Sequence, residues 1–124
     1  MKKKKDPSPC TYTRFILYLY LSAAYADYRI EEDEYFLIKE KLERYKLIDM
    51  EEFESVYREV LHEFQGHNDF ESMQYVRRCE KSLNMDKPAL RKIFTDLKDI
   101  TQADDVVEDT EKMGLFRLKK VMGL

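Results

Sequence analysis

The 124 residues carry 22 basic and 25 acidic side chains for a formal charge of −3, with 44% apolar, 13% aromatic and 38% charged residues. That mixture is too apolar for a disordered chain, and its length suits one domain burying roughly two thirds of the surface that the unfolded form exposes. Three glycines and three prolines, two of the prolines before residue 10, exclude the frequent tight turns of a barrel or sandwich and predict an all-α, compact single-domain bundle.

Residues 1–10 read as a flexible basic tail, with Lys2 to Lys5 at its start and Pro7 and Pro9 holding it extended. No basic stripe runs through the rest, so nucleic acid is not an expected partner. The tail reads as a solvated end, with contact to an anionic membrane or nucleic acid as its lesser reading. Asp6 to Pro9 interrupt any secretory pattern. Cys10 and Cys79 are too few and too distant in sequence for a metal pair or a disulfide framework, although they would close a loop if they met in space. The expectation is a cytoplasmic protein with reduced cysteines and no transmembrane segment, membrane-associated at most peripherally through its partners.

The folded domain is expected over residues 11–124. From Tyr12 to Asp27 the chain predicts a helix, and between Phe15 and Leu21 its only polar groups are tyrosine hydroxyls. Apolar groups on nearly every side demand cover from several neighbours. The run is about a dozen residues against the roughly 20 that cross a bilayer, so it is expected as the buried central helix. Ala23, Ala24 and Ala26 suit a close helix crossing.

A second helix is predicted from about Glu31 to Tyr45, with Tyr35, Ile38 and Leu42 inward and Phe36 and Leu37 widening that face. Asp49 as N-cap, Glu52 at the third position and Ile48 packed on Phe53 start a third helix. It continues through Val56, Tyr57, Val60, Leu61 and Phe64 to a stop at Gly66. Asn68 or Asp69 caps a fourth, with Phe70, Met73, Val76, Cys79 and Leu83 on its inner side. Pro88 fits the first turn of a fifth, whose stripe is Leu90, Ile93, Phe94, Leu97 and Ile100. A closing helix carries Leu115, Leu118, Val121 and Met122, for about six or seven helices in all.

Two stretches repeat at one offset of 77 residues: Ala26-Asp27-Tyr28-Arg29-Ile30-Glu31-Glu32-Asp33-Glu34 and Ala103-Asp104-Asp105-Val106-Val107-Glu108-Asp109-Thr110-Glu111. Alanine, aspartate, a β-branched residue three further on and two glutamates coincide, and Ile38 matches Leu115. Each copy reads as an acidic helix-turn-helix corner whose carboxylates favour the amides of the next helix start, which by itself needs no ligand. The sharper reading brings Asp27, Glu34, Asp104 and Glu111 together. Four converging carboxylates repel unless a cation intervenes, and oxygen-only ligation suits calcium, magnesium or manganese. Neither corner has the twelve-residue EF-hand spacing.

A helix followed by A-D-x-x-[IV]-x-x-x-E, repeated before a closing helix, resembles the tellurite-resistance TerB-like family. The resemblance implies a compact all-helical domain with a divalent-metal site at Asp27, Glu34, Asp104 and Glu111. It also implies a bacterial stress-response or tellurite-resistance protein assembly rather than a defined reaction. Many relatives place glycine after the aspartate, where this chain has Tyr28 and Asp105.

His62-Glu63-Phe64-Gln65-Gly66-His67 spaces its histidines five apart instead of four, which does not fit the HExxH zinc helix. Two further readings stand beside the metal domain. One is a metal-independent protein-interaction scaffold anchored by Tyr28 and Tyr45. The other is a metal-assisted hydrolase, for which no general base or substrate pocket is evident. Neither catalytic residues nor an organic cofactor are expected, and a protein partner is.

Overall fold

The computed structural model describes residues 10–24, 32–101, 115–116, 118–120 and 122–124. Five helices cover most of them: α1 (Tyr12–Ala24), α2 (Glu32–Arg44), α3 (Met50–Gln65), α4 (Asp69–Ser82) and α5 (Lys87–Thr101). Residues 115–116 and 118–120 are also helical. The fold is all-α, and no described helix is long and apolar enough to cross a membrane.

α1 is the centre. Phe15, Leu17, Tyr18, Leu19, Tyr20, Leu21, Ala23 and Ala24 are all fully buried, and α2, α3, α4 and α5 each pack on it. Burying a large apolar side chain contributes about 1.5–3 kcal/mol, so this helix supplies much of the driving force for the whole bundle. The expected all-round cover is found. The inward stripe of α5 is found too, with Leu90, Ile93, Leu97 and Ile100 buried and Phe94 half-buried.

Contacts along α1 set the directions of its neighbours. Thr13 Oγ1 donates to the Leu47 carbonyl at 2.8 Å, while further along α1 Tyr20 meets Lys41 at a shared carboxylate, so α2 runs back along α1. Between α2 and α5, Tyr45 reaches Asp96 and Lys41 reaches Asp99, again opposed. Arg14 pairs with Glu59 at 3.0 Å and Tyr18 meets Phe64 edge-on, so α3 runs with α1.

Helix ends follow the local chemistry in part. Asn68 closes a full capping box: its side chain accepts from the Glu71 amide at 2.8 Å, and its own amide donates to the Glu71 carboxylate at 2.9 Å. Asn68→Ala is expected to lower stability by about 1 kcal/mol in urea unfolding. Asp49 holds the extended backbone of an N-cap, but its side chain makes no cap bond. The expected Asp49 acceptor is corrected to that extent, and Asp49→Ala serves as the milder comparison.

Gly66 ends α3 with an ordinary right-handed φ of −82°, so its missing side chain is not needed for a left-handed turn. Left-handed turns fall instead on Lys46 (φ 56°) and Asn84 (φ 55°). Each forms the paired closure of a Schellman motif, with Leu47 bonded to the Leu42 carbonyl and Met85 to the Glu80 carbonyl.

Candidate functional site

Of the four carboxylates expected at the acidic corners, Glu34 lies in the described chain. It sits in the first turn of α2 and is 1% exposed, on the inward face it shares with Ile38, Lys41 and Leu42. Asp27, Asp104 and Glu111 lie outside the described residues, as do Tyr28 and the rest of both corner stretches. Because α2 opposes both α1 and α5, the end of α1, the start of α2 and the end of α5 gather at one pole. The described residues that flank both corner stretches therefore lie toward the same pole. Among the described residues, no three His, Cys, Asp or Glu side chains stand close enough to hold a metal ion.

At the last turn of α2 lies a buried charge network. Lys41, 3% exposed, places its Nζ 3.3 Å from Asp96 and 3.3 Å from Asp99. Asp96, 7% exposed, also accepts from the Tyr20 hydroxyl at 3.1 Å and the Tyr45 hydroxyl at 3.2 Å. Burial first, and the Asp96 carboxylate second, push both phenols above their ordinary titration range. Tyr45 is thus tied inward, and the expectation that it stands out as a partner anchor is corrected. The network clamps α1 and α5 to the last turn of α2.

A second polar region opens at the α3–α4 corner as a cleft of about 660 Å³, with Glu63, His67, Glu71, Tyr75, Arg77 and Arg78 among its walls. His67 Nδ1 lies 2.7 Å from the Tyr18 hydroxyl, which donates to Ser72 Oγ at 2.9 Å. The three groups form one hydrogen-bonded chain from Ser72 through Tyr18 to His67. Tyr18 also stacks on Tyr75 with ring centroids 4.2 Å apart, so the histidine is held by an aromatic wall. Glutamates and arginines share the cleft, giving it acceptors and donors of both signs.

No family model, curated protein or solved structure matches the chain.

Sequence reasoning missed the clamp, although its signal was present. Lys41 falls three residues after Ile38, and Asp96 falls three after Ile93 and four before Ile100. A charge on the apolar stripe of each of two helices is the mark of a buried pair. It also misplaced Phe70, which is 66% exposed; Tyr75 takes the inner position instead, at 4%. Ser72, two residues on, meets Tyr18 of α1 through a hydrogen bond, while Phe70 faces out.

Proposed function

We propose that the protein acts by binding rather than by catalysis, as a TerB-like helical domain whose two acidic corners hold one divalent cation. The observation that carries this reading is the shared pole: opposed packing of α2 against α1 and α5 brings the points of departure of both corner stretches to one end of the bundle. Burial of Glu34 supports it further, since a carboxylate turned inward at a helix start suits ligation better than solvation does. Oxygen-only donors favour calcium, magnesium or manganese. The resemblance to the TerB-like family extends the proposal to a protein partner in a cytoplasmic stress-response or tellurite-resistance assembly.

Calorimetric titration of the chelator-stripped protein with each of the three cations tests the reading. Saturable binding with a sub-millimolar Kd is expected for at least one of them, abolished when Asp27→Asn and Asp104→Asn are combined. Absence of binding and of any thermal shift at millimolar concentrations of all three would refute the cation site. The acidic pole would then remain as a metal-independent interaction surface, with Phe36, 54% exposed, as its aromatic anchor.

A further inference from the structure

Cys10 and Cys79 are the two cysteines of the chain, both free, one half-buried just ahead of α1 and the other fully buried on α4. Their separation of 69 residues hides a convergence that follows from helix directions. α3 runs with α1, and the short turn 66–68 sends α4 back toward the start of α1. Tyr18 and Ser72 fix the register at 2.9 Å. From that contact, eight residues back along the chain reach Cys10, about 12 Å away, and seven residues forward along α4 reach Cys79, about 10.5 Å away. Cys10 accordingly packs against the core cluster that contains Cys79, near enough for its thiol to help raise that of Cys79. Tyr75 completes the cluster beside both sulfurs.

We propose that Cys10 and Cys79 form a reversible disulfide that staples the entry of α1 to α4 in response to small-molecule disulfide oxidants such as glutathione disulfide. The Cys10 thiolate attacks one sulfur of the oxidant, forming a mixed disulfide and releasing one glutathione thiolate. Cys79 then gives up its proton to water and attacks the Cys10 sulfur, releasing the second glutathione. The two protein thiols lose two electrons and two protons, and the oxidant gains them as two glutathione thiols.

The two sulfurs have unequal parts. Burial, and after it the neighbouring Cys10 thiol, push the Cys79 thiol up to about 12, so Cys79 is a poor attacker of external reagents. Half-buried Cys10 is the more accessible entry point and fully buried Cys79 the resolving group. Closure should therefore quicken as pH rises. The staple also lands beside Tyr75 and Arg78, which line the α3–α4 cleft, so its state is positioned to alter that cleft.

The full chain incubated with glutathione disulfide under native conditions provides the test, read by intact mass, peptide mapping and thermal unfolding. The expected product is a monomer lighter by about 2 Da with a Cys10–Cys79 linked peptide, restored by dithiothreitol. Its melting temperature should rise by roughly 5–15 °C, since the bond closes a long loop. In Cys10→Ser, Cys79 should stay unmodified while the protein remains folded. A stable glutathione adduct on Cys10 without the linked peptide, a Cys10-linked dimer, or two unreacted thiols would each overturn the proposal. Modification of Cys79 in Cys10→Ser at the wild-type rate would overturn the assigned order.

Discussion

Lys41→Met is expected to lower stability by roughly 3–5 kcal/mol, the range for removing one member of a buried ion pair. Methionine matches the length of the lysine stem, so the loss reports charge rather than a cavity. It leaves the Asp96 carboxylate buried with only the Tyr20 and Tyr45 hydroxyls as donors and its cation gone. Asp99 cannot help, being a second carboxylate, with its side chain about half exposed. Urea unfolding followed by circular dichroism measures the effect as a lower midpoint at unchanged slope. The double variant Lys41→Met with Asp96→Leu should recover most of the loss, because exchanging a whole buried pair for apolar groups is often neutral. A loss under about 1 kcal/mol in the single variant would show that water reaches the pair and that the clamp is not a dry one.

The second large effect is alkaline. Burial raises the hydroxyls of Tyr18, Tyr20 and Tyr75 above the usual tyrosine value. A group whose folded titration point lies above its unfolded one stabilises the fold fully below the unfolded value, and that contribution is lost as pH climbs toward the folded value. For tyrosine the loss begins near pH 10, at about 1.4 kcal/mol per pH unit for each group. Three such phenols together give a slope of about 4 kcal/mol per pH unit, enough to unfold a marginally stable domain within roughly two to three pH units. Tyrosinate absorbance should therefore rise in step with the loss of helical circular dichroism. Complete tyrosine ionisation with helicity intact would contradict the buried placement of these three rings.

Much of this architecture was legible because it rests on local patterns. The unbroken apolar run of α1 could only be satisfied by burial, and the stripe of α5 and the cap at Asn68 follow from helical spacing and side-chain reach. The clamp and the cysteine pair were harder to read because they depend on how helices run relative to one another. Lys41 and Asp96 are 55 residues apart, and Cys10 and Cys79 are 69 apart. No short window contains either pair. Phe70 shows the same limit in reverse: its spacing suits the inner stripe of α4, yet the face turned to the core is the one that carries Tyr75, Val76 and Cys79. For the acidic corners, sequence supplied the repeat, while opposed helix packing supplied the common pole.

The placement of α1 at the hub has a cost during synthesis. Its segment leaves the ribosome before any of the other four described helices, yet α5 is not finished until 77 residues later. At about 5–20 residues per second, the greasiest stretch of the nascent chain waits roughly 4–15 s for α5. Such an interval is open to chaperone capture or to aggregation between polysomes, so the yield of native molecules depends on how that early segment is sheltered.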